Sequence, residues 1–222
     1  MNYNVNTMVN FCKNHFDLNQ VISYDYHSLP VCIIDCVYSL RAHYDTTTKR
    51  IVDRYARKYL NGDVFNSTET ISDSLSHFDE LNSKSDFSRI INNKQKLGKD
   101  IPKESVCYDI AKYLSYLHIE SLNDFLEFED KIFLEKVLRS VKGFGSAGVN
   151  YLFMLTGDID RCKIDTHISQ FMNDIFGDKP PENEIYRLFK EAVKILKNEY
   201  PGLNVRNLDG IVWRYYQSKK DK

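Results

Sequence analysis

Apolar residues recur along most of the chain at intervals of three and four, the period of an amphipathic α-helix. Alternating patterns typical of strands are almost absent, so the sequence predicts an all-α fold of ten or so helices. Residues 61–70 and 82–100 lack the helical period and are expected to be loosely structured. The pattern predicts helices over residues 29–44, 46–60, 71–81, 102–117, 131–141, 146–156, 165–176, 183–200 and 205–218, and a short helix capped by Ser121.

Composition places the chain among globular proteins. With 222 residues, 42% of them hydrophobic, it can form one domain or two small lobes. No apolar stretch has the length of a membrane span, and the N-terminus lacks a secretory pattern, so we expect a cytoplasmic protein, or a nuclear one in a eukaryote. The five cysteines are irregularly spaced and form no CxxC knuckle, which favours reduced thiols and no metal site.

The net charge is −1, so the chain as a whole lacks the net positive charge that is typical of nucleic-acid-binding proteins. Charge is nevertheless segregated along the chain. Acidic residues concentrate in 120–135, whereas basic residues concentrate in 49–58, in 136–142 and in the tail. A local basic patch can therefore form even though the whole chain is nearly neutral.

The segment VKGFG separates two predicted helices and predicts a tight helical hairpin. Glycine permits backbone angles that other residues adopt only at a cost, and Phe144 can point inward to hold the turn. Amides at the start of the next helix, together with the helix dipole, can bind a phosphate. The candidate phosphate-binding residues are Lys142, Gly143, Gly145, Ser146 and Ala147. A plain C-cap and turn between packed helices is the alternative interpretation.

Asp165 begins the run Asp-Thr-His-Ile, twenty residues after Gly145 (165 − 145 = 20). An N-cap role alone explains an aspartate at this place. The same geometry also suits catalysis, because helix amides favour the carboxylate anion, and an anion near C1′ of a nucleotide could stabilise a sugar cation or activate water. Asp165 is therefore the candidate catalytic residue.

The two motifs together resemble the helix-hairpin-helix superfamily of base-excision DNA glycosylases, in particular its endonuclease III and MutY branches. The family hairpin reads roughly LPGVGxKTA, and VKGFGSAGV stands here; the family catalytic stretch VDTHVxR corresponds to IDTHISQ. More weakly, residues 38–45 look like the LSAQTTD segment, and residues 208–213 are similar to an LDxxIW ending.

This resemblance implies two α-helical lobes with a DNA-binding groove between them and the hairpin at their boundary. One lobe would span residues 29–158, and the other would combine 1–28 with 159–222 and carry Asp165. Arg41 falls at the position of the wedge that fills the hole left by a flipped base. Candidates for the base pocket are Tyr38, Tyr151, Asp209 and Trp213. A place in the core is the simpler explanation for each of the aromatic residues, whereas Asp209 could equally contact the base or cap the last helix.

Departures from the family pattern narrow the expected activity. Bifunctional members carry a lysine where this chain has Ala147, so strand cleavage through a Schiff base is not expected. Lys142 replaces the hairpin proline, and Gln170 replaces the arginine after the catalytic stretch. No cysteine follows Cys162, so the four-cysteine iron–sulfur loop is missing. The expectation is a monofunctional glycosylase without a required cofactor, with a monovalent cation at the hairpin carbonyls as in family members.

The expected partner is double-stranded DNA, bound by a monomer and without a membrane. Uracil or thymine mismatches, adenine opposite oxidised guanine, and alkylated or oxidised purines all remain candidate substrates. A non-catalytic helix-hairpin-helix DNA-binding protein is the first alternative, because an N-cap role would also retain Asp165. An all-α interaction protein without a nucleic-acid role is the second, and the near-neutral charge is its main support.

Overall fold

The structure, a computed structural model, describes residues 3–20, 22, 26–80 and 91–220. These residues are mostly helical, so the predicted all-α class is confirmed. A π-helix spans Tyr44–Thr48, and two short strands, β1 (Lys96–Leu97) and β2 (Ile101–Pro102), pair antiparallel. The α-helices are α1 (Val5–His15), α2 (Leu29–Ser39), α3 (Lys49–Tyr59), α4 (Ile71–Glu80), α5 (Lys103–Tyr116), α6 (Leu122–Glu127), α7 (Lys131–Ser140), α8 (Ser146–Leu155), α9 (Thr166–Phe176), α10 (Glu182–Leu196) and α11 (Val205–Lys220).

The chain divides into two compact units. The hairpin unit comprises the described residues of 25–157, and the aspartate unit comprises those of 1–24 together with 158–222. The GFG turn and Arg41 belong to the hairpin unit, whereas Asp165, Asp209 and Trp213 belong to the aspartate unit. The predicted site residues therefore fall into two groups, and each group is described within its own unit.

The hairpin unit is built around α2, in which every residue is buried. The sequence LPVCIIDCVYS supplies apolar side chains on all sides of the helix except at Asp35, and α3, α5 and α8 pack against it. A helix that is hydrophobic all round belongs in a core. Ser28 caps its start by accepting the N–H of Val31.

The end of α2 differs from the prediction. The sequence predicted a helix to residue 44, but α2 ends at Ser39, Leu40 is extended and Arg41 has a left-handed φ of 54°. The predicted helix from residue 46 begins instead as the π-helix and continues as α3. Near the end of the segment 82–100, which was predicted to be loose, β1 forms and pairs with β2 just beyond it; residues 82–90 lie outside the described residues.

The aspartate unit packs α1, α9, α10 and α11 around one apolar cluster. The cluster includes Phe171 of α9, Phe189 of α10 and Val212 of α11, all fully buried. Helix α1 was not among the predicted helices, although Val5, Met8, Val9 and Cys12 follow the helical period. Asn4 caps it by accepting the N–H of Asn6.

Candidate functional site

The GFG turn joins α7 to α8 through two backbone hydrogen bonds. Val141 donates its N–H to the carbonyl of Leu138 at 3.2 Å, and Phe144 donates to the carbonyl of Val141 at 3.0 Å. Gly143 has a φ of +88°, in the left-handed region that favours glycine. Phe144 is buried between the two helices, in agreement with the predicted inward side chain.

Two glycines near the turn have no room for a side chain. A Cβ on Gly143 would lie 3.1 Å from Cδ1 of Ile101, and one on Gly148 would lie 2.5 Å from the ring of Phe144. Real Cβ atoms almost never approach another atom as closely as the 2.5 Å found at Gly148. The close packing of α8 on Phe144 therefore depends on a glycine at position 148. Leu40 also lies against Gly148, with its Cδ1 3.2 Å from the same Cβ position.

Gly145 serves the turn differently from the other two glycines. It is the N-cap of α8, no side chain caps the helix there, and nothing lies within 4 Å of where its Cβ would be. The first helical bond is from the N–H of Val149 to the carbonyl of Gly145 at 3.1 Å. Open space before uncapped helix amides can accommodate a phosphate group.

The other predicted hairpin residues flank Gly145 in the sequence. Lys142 and Gly143 are exposed, while Ser146 and Ala147 are half-buried in the first turn of α8. The turn thus has a lysine charge at one end, at Lys142, and helix amides at the other, at Ser146 and Ala147.

Arg41, the predicted wedge, is exposed. Its side chain makes no hydrogen bond or ion pair with any described residue, and its backbone is left-handed.

The two base-pocket candidates of the hairpin unit are core residues. Tyr38 is fully buried, the ammonium of Lys103 lies 5.6 Å from its ring centroid, and burial raises the pKa of its phenol. Tyr151 is buried and donates its hydroxyl to Oδ1 of Asp35 at 3.0 Å. Neither ring therefore offers the exposed face that stacking on a base requires, because both are packed among neighbours.

Asp35, which belongs to none of the motifs predicted from the sequence, is fully buried in α2. Its Oδ2 accepts the hydroxyls of Tyr26 at 2.9 Å and Tyr44 at 2.7 Å, in addition to Tyr151 on Oδ1. Buried carboxylates require such partners. The one available signal was a single acidic residue within an otherwise apolar helix.

Asp165 is the N-cap of α9 in the aspartate unit. Its Oδ1 accepts the N–H groups of His167 at 2.8 Å and Ile168 at 3.1 Å. Its Oδ2 has no hydrogen-bond partner among the described residues, and the side chain is partly exposed. One oxygen is therefore fixed by the helix, and the other is available to a ligand or a water molecule.

Asp209 of α11 is fully buried, and its Oδ1 accepts the backbone N–H of Lys163 at 2.9 Å. Burial, followed by the negative charge of Asp165, raises the pKa of this carboxyl well above its usual range, against the lowering effect of Lys163. Asp209 thus joins α11 to the segment that leads into Asp165. The two carboxyls lie close enough for the charge of Asp165 to affect the pKa of Asp209.

Trp213, the remaining pocket candidate, is half-buried on α11. Its ring packs edge to face with that of His167, with centroids 5.8 Å apart and planes at 79°. Because His167 donates its N–H to Asp165, the tryptophan lies beside the same helix start. It is the one predicted pocket aromatic that keeps partial exposure.

The five cysteines are separate buried thiols, and the described residues contain no group of three or more His, Cys, Asp or Glu that could hold a metal ion. A search for long apolar helices over the same residues finds none able to span a bilayer.

The chain matches one protein family in sequence and is similar in fold to a solved structure. Residues 6–217 match the family described as Domain of unknown function (DUF8548). No curated protein sequence matches the chain. The chain is similar in structure to Clostridium acetobutylicum 8-oxoguanine glycosylase/lyase, crystallised with double-stranded DNA containing cytosine opposite 8-oxoguanine, with a TM-score of 0.57 and 10% sequence identity. The similarity covers 88% of this chain and 61% of that one, and at this identity it shows the fold alone.

Proposed function

We propose that this chain, which belongs to the DUF8548 family, is a DNA repair glycosylase. It would hydrolyse the N-glycosidic bond of a damaged or mispaired base that has rotated out of the duplex, leaving an abasic site. The observation that carries the proposal is the carboxylate of Asp165, which has one oxygen fixed by two helix amides and the other without a described partner. The fold similarity to a DNA glycosylase/lyase supports the same assignment.

Asp165 supplies the chemistry. As the bond between the base and C1′ breaks, positive charge develops on the sugar, and a fixed carboxylate stabilises that charge without having to reorganise. The unpartnered Oδ2 can accept a proton from a water molecule whose oxygen forms the new bond to C1′. Asp165 then releases this proton to solvent and the departing base nitrogen takes one from solvent, so the net reaction consumes one water and gives a free base and an abasic sugar. Asp209, buried behind Lys163, holds the segment that aims Asp165.

The hairpin unit supplies DNA binding in this proposal. Open space at Gly145 before the amides of α8, with Lys142 beside it, suits a backbone phosphate. Arg41 would fill the gap in the duplex left by the flipped nucleotide. A monovalent cation on the hairpin carbonyls is compatible with the turn, because the carbonyl of Val141 accepts one N–H and keeps a second lone pair.

The test is base release from duplexes that each carry one lesion, treated with alkali to reveal abasic sites. The panel comprises uracil and thymine mismatches, adenine opposite 8-oxoguanine, alkylated purines and 8-oxoguanine. We expect release from at least one duplex and a loss of about 100-fold or more for Asp165→Asn. Asparagine is as good an N-cap as aspartate, so the helix should remain intact and thermal unfolding should change little.

Asp130→Asn is the matched control. Asp130 caps α7 by accepting the N–H of Phe133 at 2.8 Å, so the same substitution changes a cap far along the chain from the catalytic run. Its base release should equal that of the wild type. Undiminished release by Asp165→Asn would remove Asp165 from the mechanism. Tight duplex binding with no base release from any lesion would instead support the non-catalytic DNA-binding alternative.

A further inference from the structure

The backbone of Arg41 is held in a conformation that arginine rarely adopts. Four non-glycine residues in the described part of the chain have positive φ, namely Arg41, Asn61, Asn92 and His118. Asparagine and histidine are several-fold enriched in this region of backbone space, whereas arginine is not. Such a backbone persists only where its surroundings determine it, and it is found preferentially at functional positions.

Arg41 lies in the segment of residues 38–44, and a buried lysine holds this segment on the N-terminal side of Arg41. Lys103 is 1% exposed, and its ammonium donates to the carbonyl oxygens of Tyr38 at 2.9 Å and Leu40 at 2.7 Å, and to Oε1 of Gln95 at 2.9 Å. The carbonyl of Leu40 immediately precedes Arg41. Lys103 therefore ends α2 at Ser39, five residues before the predicted end at residue 44, by binding carbonyls that a longer helix would have used.

On the C-terminal side, the segment is fixed by a buried acid. Tyr44 begins the π-helix three residues after Arg41 and donates its hydroxyl to Oδ2 of Asp35 at 2.7 Å. Tyr151 of α8 donates to the other oxygen of the same carboxylate. The Arg41 segment is thus tied to α8, the helix that follows the GFG turn, at one end through Leu40, which packs against Gly148, and at the other through Asp35, which Tyr44 shares with Tyr151.

From these contacts we infer that Lys103 and Asp35 are positioning residues for Arg41, an inference that rests on the proposed DNA-binding function. They hold the segment of residues 38–44 from both sides, so that Arg41 is presented to the duplex in one fixed conformation. A side chain that enters a base stack gains affinity when its backbone is ordered before binding, because the ordering cost is not incurred on the DNA.

The experiment measures how strongly the protein prefers a gap in the duplex. The probes are a duplex with a tetrahydrofuran abasic-site analogue opposite 2-aminopurine and the same duplex without the analogue. We expect Arg41→Ala to lower the ratio of the two affinities. Lys103→Met and Tyr44→Phe should lower it by at least about tenfold while leaving binding to the intact duplex unchanged. The fluorescence of 2-aminopurine, which reports unstacking, should fall in parallel.

Tyr26→Phe is the matched control, because Tyr26 donates to the same Oδ2 of Asp35 but lies outside the Arg41 segment. It should retain the preference. Tyr44→Phe removes one hydroxyl and leaves no large cavity, so the inference stays testable even if Lys103→Met does not fold. Each variant is also made in the Arg41→Ala background, where its effect on the ratio should vanish.

The outcomes separate the two proposals. The positioning role is wrong, and the wedge role of Arg41 stands, if Arg41→Ala lowers the preference for the gapped duplex but Lys103→Met and Tyr44→Phe do not. The same conclusion holds if Lys103→Met and Tyr44→Phe lower the preference by the same factor in the Arg41→Ala background as in the wild type. If Arg41→Ala leaves the preference unchanged, the wedge and its positioning are both wrong, and base release by Asp165 is decided by its own assay.

Discussion

Lys163 donates its backbone N–H to the buried carboxylate of Asp209 at 2.9 Å, two residues before Asp165. This hydrogen bond joins α11 to the segment that begins α9. Burial and the negative charge of Asp165, the candidate catalytic carboxylate, both disfavour ionisation of Asp209 and raise its pKa.

We expect Asp209→Asn to become more stable relative to the wild type as pH rises. Between the ordinary carboxyl pKa, near 3.8, and the raised pKa of Asp209, the folded protein binds a proton that the unfolded chain has released. The free energy of unfolding of the wild type therefore falls through this window, and asparagine has no such titration. Urea unfolding at about pH 5 and about pH 8 measures the difference, with Asp160→Asn as an exposed control. A difference that is constant with pH would contradict the assignment.

Two glycines of the hairpin should lose stability to different extents on the same substitution. Gly148→Ala should lower the free energy of unfolding by about 1–3 kcal/mol, because its Cβ would lie 2.5 Å from the ring of Phe144. Gly145→Ala meets nothing within 4 Å and should cost less than about 1 kcal/mol, the size of an N-cap effect. Denaturant unfolding of the two variants checks the order, and equal losses would show that Phe144 does not fix α8.

The local features of the site were predictable from sequence because their signals are local. Two glycines around Phe144 gave the turn, and an aspartate before Thr-His-Ile gave the cap of α9. Lys103 and Asp35 were not predicted, because their partners lie far along the chain: the bonds of Lys103 to Tyr38 and Asp35 to Tyr151 span 65 and 116 residues. The early end of α2 was missed for the same reason, since periodicity alone continues the helix past the residues that Lys103 caps.

The choice of pocket residues had the same limit. Tyr38, Tyr151 and Trp213 carry the same stacking chemistry, and burial alone separates them. An aromatic residue at helical spacing is compatible with a core or a pocket, and the distinction depends on which helices pack against it. In the hairpin unit, α5 brings Lys103 over Tyr38, which no local pattern near residue 38 indicates.

Glu69 of the hairpin unit provides a second test of pH dependence, away from the site. Its Oε1 accepts the hydroxyl of Tyr55 at 2.6 Å and lies 3.2 Å from Nδ1 of His77, and burial raises its pKa to about 7. Because the pKa is raised, folded Glu69 keeps a proton between about 4.5 and about 7 that the unfolded chain has released, so the free energy of unfolding falls as pH rises through this window.

Glu69→Gln should therefore gain stability relative to the wild type by about 2 kcal/mol between pH 5 and pH 8. Urea unfolding at the two pH values measures it. Glu120→Gln is the control, because Glu120 is an acid of the same unit that accepts hydrogen bonds from Ser72 at its partly exposed carboxylate. A gain of the same size in that variant would show that the effect is not specific to Glu69.

The half-buried Ala147 predicts how the abasic product is handled. Since no amine stands at the position where the bifunctional glycosylases that the sequence resembles carry a lysine, we expect strand breaks only after alkali, and no covalent complex with an abasic duplex after borohydride reduction. Ala147→Lys, which places an amine at the start of α8, should form such a complex and so shows that the assay detects one. A complex trapped with the wild type would contradict the hydrolytic mechanism, and repeating the assay with Lys142→Gln and Lys163→Gln would then identify the amine responsible.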